Sequence, residues 1–293
     1  MAARILQIIL PVFAIVAGGW LYGRRRGTEI GGLNRMNMDV FVPALVLGAL
    51  SSRSFDLAAN ARLVVAGAGV VLGSGLVAWP VARWLGASPR TFVPPMMFNN
   101  SGNMGLPLAL LAFGEQHLPA AVALFVTSNL LHFTVGAHLV RRDAHAGHLL
   151  LSPMVLATGA GVALSATHTA LPGWVAVTVR MVGDVAIPLL LFTLGVRMAG
   201  TPVTGWRVGV VGALVRPLAG LAIALPLGRA LALPPAQLAL LTLFASLPPA
   251  VLNFLFAEEY RQEPETVASI VLVGHLASLV FVPLGLALAL RGP

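Results

Sequence analysis

Long apolar runs, separated by short polar connections, fill nearly the whole chain. Ten can be marked, at about residues 4–22, 35–51, 62–85, 91–113, 118–140, 150–168, 175–197, 207–229, 236–257 and 265–290. Each is close to the roughly 20 residues that carry an α-helix across bilayer hydrocarbon. The pattern predicts an all-α polytopic membrane protein of ten transmembrane helices. Two runs are irregular. Span 4 contains "MMFNNSGNMGLPLAL" (96–110), with three amides, two glycines and a proline, and span 9 contains "FASLPPAVLNF" (244–254).

Composition agrees with the pattern. The chain is 58% hydrophobic and 10% charged, with mean hydropathy +0.90 over 293 residues. That leaves too little polar surface for a soluble domain. There is no cysteine, hence no disulfide framework and no thiol chemistry. The net charge of +8 comes from arginines scattered among loop ends, with no stripe that would point to nucleic acid. Their distribution instead sets orientation. Eleven arginines, Arg24, Arg25 and Arg26 among them, fall in loops on one side, and six fall on the side of the termini. The positive-inside rule puts the eleven in the cytoplasm and both termini outside it. The first run, Ile5 to Tyr22, follows Arg4 and lacks a small-x-small cleavage site, so it is expected to stay as a first helix.

The chain repeats itself at an offset of 145 residues. "RMNMDVFVPAL" (35–45) lies over "RMVGDVAIPLL" (180–190), pairing Arg35 with Arg180, Asp39 with Asp184 and Pro43 with Pro188. Arg62 and Gly67 lie over Arg207 and Gly212, and Pro119 lies over Pro264. The halves, 1–142 and 149–293, hold five spans each. An odd number inverts the second half relative to the first, the 5+5 architecture of many secondary transporters.

The same offset carries the centre of span 4 onto the centre of span 9. Helix breakers stand in both: Gly102, Gly105 and Pro107 in one, Pro248 and Pro249 in the other. Unwound backbone in lipid strands polar groups at several kcal/mol each, so it persists only inside protein or against a wet cavity. Two broken crossover helices meeting at mid-membrane would aim positive dipole ends at one spot and favour an anion. Asn99, Asn100, Ser101 and Asn103 from span 4, with Ser246 and Asn253 from span 9, are the candidate substrate or ion ligands, and the candidate site includes Gly102, Gly105, Pro107, Pro248 and Pro249. Asn99 and Asn103 are also candidate sodium ligands. The simpler alternative is a pair of kinked helices whose asparagines tie neighbours together.

With "NNSGNMGLPLALLAFGE" and "PPAVLNFLFAEEY" the chain resembles the auxin efflux carrier family, in its bacterial form, along essentially its whole length. The resemblance implies the fold shared with bile-acid/sodium symporters. Spans 3–5 and 8–10 would form a core transport domain, sliding like an elevator past a scaffold of spans 1, 2, 6 and 7. The scaffold would often be dimeric. It also implies a bacterial inner membrane location and termini outside the cytoplasm. Plant members carry a long central cytoplasmic loop, for which this chain has only residues 141–149.

Further polar residues lie within the spans. Asp39 and Asp184 stand in the early turns of spans 2 and 7, where they either offset the helix dipole or act in gating or proton coupling. Arg216 needs a partner, an internal carboxylate or the substrate's own. Asn129 and His132 in span 5 and His275 in span 10 either line the cavity, where a histidine can take a coupling proton, or bridge helices. Met96, Met97 and Met104 read as packing, and His145 and His148 as solvated. Gly69 and Gly73 have the helix-contact spacing, a frequent coincidence in such chains.

The expected function is a secondary active transporter, read as an exporter, for small organic anions such as mono- and dicarboxylates or auxin-like acids. A proton or sodium gradient would drive it. A sodium-coupled symporter of bile-acid-like anions is the alternative. An intramembrane enzyme would need motifs absent here: no His-Glu-x-x-His, no Gly-x-Ser-x-Gly and only one Gly-Asp pair, at 183–184. No catalytic residue, organic cofactor or nucleic-acid partner is expected.

Overall fold

Backbone groups that cannot reach water must bond to one another, and a single segment does this only as helix. The computed structural model describes residues 1–27, 29–52, 55–140, 151–200 and 205–291. In chain order the α-helices are α1 (Ala2–Arg26), α2 (Gly31–Met36), α3 (Val42–Leu50), α4 (Leu57–Trp84), α5 (Pro89–Met97), α6 (Leu106–Phe113), α7 (Leu118–Leu131), α8 (Ala137–Val140), α9 (Pro153–Ala166), α10 (Gly173–Gly183), α11 (Ala186–Ala199), α12 (Trp206–Ala230), α13 (Pro235–Ala245), α14 (Leu252–Glu259) and α15 (Pro264–Arg291). Wide π-type turns join α2 to α3 at Asn37–Phe41, lead into α6 at Ser101–Gly105, and join α7 to α8 at His132–Gly136. The connection 141–149, together with Arg53, Arg141, Arg142, His145 and His148, lies outside the described residues.

Among the described residues six stretches are long and apolar enough to cross a membrane: Ala2–Arg26, Leu57–Trp84, Glu115–Val140, Gly173–Ala199, Trp206–Ala230 and Pro264–Arg291. The other four expected runs appear as shorter or interrupted helix. Runs 4 and 9 are cut near their middles, into α5 and α6 and into α13 and α14. Run 6 is helical only from Pro153, behind Ser152, whose Oγ accepts from the Val155 N–H at 3.4 Å.

The outer surface is apolar, with Leu76, Trp84 and Trp174 more than three-quarters exposed. A soluble protein seldom tolerates such a face, whereas lipid favours it. Arg24 sits over Trp20, Arg83 over Trp79 and Arg207 over Trp206, with the guanidinium carbon 5.7–5.9 Å from the ring centroid. Tryptophans that combine an apolar body with a charged neighbour fit the membrane–water interface.

Helix packing divides the contacts into two sets. α1 runs along α11, and α3 packs on α9 and α10. Elsewhere α4 packs on α5, α7 and α12, while α12 packs on α13 and α15. The α1–α11 contact is backbone to backbone. A Cβ on Gly195 would collide with the Val16 carbonyl, and one on Gly19 with the Phe192 carbonyl. Gly69 and Gly73 face Leu227 and Ile223 of α12, so their spacing does serve a helix contact.

Replacing Gly195 by leucine is expected to cost about 1–3 kcal/mol or more, because the neighbouring backbone cannot move aside. Thermal unfolding in detergent should show a clear loss for Gly195→Leu. Gly31→Ala, where a Cβ meets open space, should unfold like the parent.

A polar cavity where two interrupted helices meet

The first interruption follows from its sequence. Pro94 and Pro95 sit in the last turns of α5, and after Met97 the chain leaves the helix, extended at Phe98 and non-helical through Asn99 and Asn100. In the second, Pro248 and Pro249 prevent α13 from continuing past Ala245, and helix resumes at Leu252. The interruptions lie side by side, running in opposite directions. Asn99 and Pro249 form an isolated antiparallel bridge. The Asn100 N–H donates to the Pro248 carbonyl at 2.8 Å, and the Ala250 N–H to the Phe98 carbonyl at 2.9 Å.

Side chains complete the joint. Asn99 Nδ2 donates to the Phe244 carbonyl at 2.6 Å, and Phe244 is the residue 145 positions on, its counterpart in the sequence repeat. Asn253 Nδ2 donates to the Phe98 carbonyl at 3.1 Å and to that of Ala250 at 2.9 Å. Asn100 is the N-cap of the resumed segment: its Oδ1 accepts from the Asn103 N–H at 3.3 Å. Its Nδ2 lies 2.7 Å from His275 Nε2, and His275 Nδ1 lies 2.7 Å from the Val271 carbonyl. A carbonyl only accepts, so the proton is on Nδ1, and Nε2 accepts from Asn100. Space for the crossing comes from small residues on α15. A Cβ on Gly274 would meet Pro249, and one on Gly285 would overlap Ser246.

A cavity of about 140 Å³ opens beside this joint. Asn99, Asn100, Ser101, Gly102 and Asn103 form one wall, and Ser128, Asn129 and His132 from α7 and its wide turn form a second. Asn34, Asn37 and Met38, with Leu190, Thr193 and Arg197 of α11, also line it. All three wide turns found among the described residues border this one cavity. Such turns widen the ladder and push backbone outward, a feature frequent at functional sites.

Several buried atoms on the cavity's rim have no protein partner: both polar atoms of Asn37, Oδ1 of Asn99 and Nε2 of His132. His132 is held between rings, stacked on Phe98 at 4.0 Å and edge-on to Phe256 at 4.9 Å. Asn253 lies beside it. Unpaired buried polar atoms cost about 1–3 kcal/mol each, and several are gathered at this cavity.

Comparison with known proteins gives the family. Residues 143–286 match the family described as membrane transport protein. The match covers just under half of the chain and likens it to the family of the auxin efflux carriers. It is 25% identical over 305 aligned positions to a putative malonate transporter of Rhizobium meliloti (strain 1021), covering 96% of this chain and 94% of that one. It is 30% identical over 115 residues to auxin efflux carrier component 3a of Oryza sativa subsp. japonica, covering 38% of this chain and 19% of that protein. The protein is therefore a membrane transporter and not an enzyme.

Of the residues singled out in the transporter's sequence, Asn99, Asn100, Ser101, Gly102, Asn103, Asn129 and His132 line the cavity. Others stand behind it. Asn253, His275, Pro248 and Pro249 hold the joint, and Ser246 turns its hydroxyl back to the Leu243 carbonyl at 2.7 Å. The break falls at 98–100, earlier than the glycines suggested. Gly105 ends the wide turn where a Cβ would press on Leu247 and Phe244, and Pro107 belongs to the first turn of α6. There a missing N–H costs nothing.

The charged candidates lie elsewhere. Arg216 is wholly buried, with Nη1 3.4 Å from the Ala245 carbonyl at the end of α13, where a cation suits the dipole. Asp39 is exposed, and so is Asp184, 4.0 Å from Arg180 one turn away. The residues not anticipated are Asn34, Asn37, Thr193 and Arg197. Nothing in their sequence separates them from ordinary span ends.

Asn99→Ala would remove a short buried bond to the Phe244 carbonyl, which would keep only a long contact from the Leu247 N–H at 3.4 Å. Denaturation in detergent should show a loss of about 1–3 kcal/mol, whereas Asn103→Ala, which keeps its backbone bond to Asn100, should unfold much like the parent.

Proposed function

We propose that the chain is a secondary carrier that exports small organic anions across a bacterial inner membrane by alternating access. The candidates are mono- and dicarboxylates and auxin-like acids. The observation that carries this reading is the polar cavity beside two interrupted helices, in a protein whose outer surface is apolar. An anion there would meet the amides of Asn99, Asn100 and Asn103 and the N-terminal end of the segment resuming at Ser101. The names of the two relatives, one a malonate transporter and one an auxin efflux carrier, point the same way.

The same reading takes the chain as ten spans in a 5+5 inverted repeat, with the interrupted spans 4 and 9 as the crossover. Packing supports this, since contacts occur in matched pairs: α1 on α11 as α9 on α3, and α4 on α5 as α12 on α13. Spans 1, 2, 6 and 7 would be the scaffold, also the surface for a homodimer. Spans 3–5 and 8–10 would be the core that moves past it as an elevator. Both termini would lie outside the cytoplasm. Oδ1 of Asn99, buried and unpaired, favours a second reading in which sodium binds there as a symported ion. Protonation of His132, whose Nε2 is open, is the competing source of drive.

Proteoliposomes of full-length protein, assayed with malonate, succinate and indole-3-acetate, should take up at least one in a saturable manner. Asn103→Ala should lower that uptake ten-fold or more. Uptake unchanged in the variant would remove Asn103 from the site, and absence of saturable uptake of any acid would remove the function. Repeating the assay with and without sodium, and across a pH step, separates the two sources of drive.

A further inference from the structure

The interior carries a cation for which the described residues provide no anion. Arg216, in the middle of α12, is wholly buried, and among those residues it is the one arginine so placed. Every aspartate and glutamate among them stands exposed. The Arg216 guanidinium reaches the Ala245 carbonyl, 3.4 Å from Nη1, while Nε and Nη2 have no protein acceptor. Its seat is shaped for it. A Cβ on Gly220, one turn further along α12, would collide with both Nη1 and that carbonyl.

The end of a helix carries only about half a unit of negative charge, so α13 offsets part of a full positive charge and no more. An unpaired buried ion is often worth no more to a fold than an apolar side chain of similar volume. Stability is therefore a poor reason for an arginine here. Position suggests a better one. Ala245 follows Phe244, whose carbonyl takes the Asn99 amide at 2.6 Å, and Asn99 lines the cavity. With about 3.8 Å between consecutive residues, the guanidinium lies within roughly 10 Å of that amide. Opposite unit charges at that range, at an effective dielectric constant of about 20, favour binding by about ten-fold or more. Arg197 lines the cavity itself, but it is partly exposed and the Glu258 carboxylate acts on it. Its charge is already answered.

We propose that Arg216 is the fixed countercharge of the substrate site, held behind the helix joint, by which the cavity takes an anion in preference to a neutral molecule of the same shape. The inference rests on reading the cavity as the substrate site. Arg216 acts through its field and touches no guest. Because it is sealed inside the protein, salt screens it far less than it screens the arginines of the loops.

The test compares acids with their neutral amides in thermal-shift titrations of the full-length protein in detergent. The pairs are malonate and malonamide, succinate and succinamide, and indole-3-acetate and indole-3-acetamide. The parent should bind at least one acid about ten-fold or more tightly than its amide. That ratio should survive a change from 0.1 M to 1 M salt, which cuts the Debye length from about 10 to about 3 Å. Arg216→Met should weaken the acid about ten-fold and leave the amide within about two-fold, closing the gap. Arg216→Lys, which keeps the charge, should preserve most of it. The inference is overturned if the gap persists in a folded Arg216→Met or closes equally in Arg216→Lys. Loss of the parent's gap at 1 M salt, a measurement that needs no variant, also overturns it. Acids bound no better than amides by the parent sink this inference alone and leave the carrier reading standing. No response to any acid, with no saturable uptake in vesicles, removes the carrier reading and the inference with it.

Discussion

Every buried backbone group must find a partner, and here two helices are cut inside the protein. Each cut is tolerable only because the other lies against it. The carbonyls and N–H groups freed at Phe98–Asn100 are taken up by Pro248 and Ala250, and the amides of Asn99 and Asn253 take the carbonyls that remain. Neither interruption would be stable alone in hydrocarbon. The pairing is therefore the constraint around which the helices are arranged, and the small residues Gly274 and Gly285 of α15 leave room for it.

The joint also separates structural from receptive polar groups. Asn253, His275 and one amide group of Asn99 are committed to protein partners, which fixes their geometry. Asn37, Oδ1 of Asn99 and Nε2 of His132 are left open at the edge of the cavity. A carrier needs this division. Groups that hold the joint must not change partner with each cycle, while groups that meet the substrate must be unpaired when it is absent, or binding would only exchange one bond for another. The wide turns contribute by spacing: each brings a short stretch of backbone out of the helical ladder at the cavity wall.

Arg216 and Arg197 show two uses of one side chain. Arg216 is sealed beside the end of α13, where its charge meets carbonyls that no longer have a helical N–H to accept. Arg197 is half-buried, within reach of the cavity, and under the influence of an exposed carboxylate. The first is a counterweight for the cut helix. The second stands at the cavity wall.

Sequence alone determined the helical, membrane-embedded class, because an apolar run of this length has few other ways to satisfy its backbone. It also drew attention to two irregular stretches, since proline, glycine and asparagine in the middle of such runs have a direct physical cost, and it named seven residues that line the cavity. It could not say that the first break falls at Phe98–Asn100, before Gly102, Gly105 and Pro107. That position follows from which backbone groups the opposite segment can reach. Nor could it distinguish Asn37 from any polar residue near a helix start, or Arg197 from the arginines that set topology. Their place at the cavity comes from the way the wide turn at Asn37–Phe41 and α11 meet there, a matter of distances between segments about 150 residues apart that no local pattern encodes.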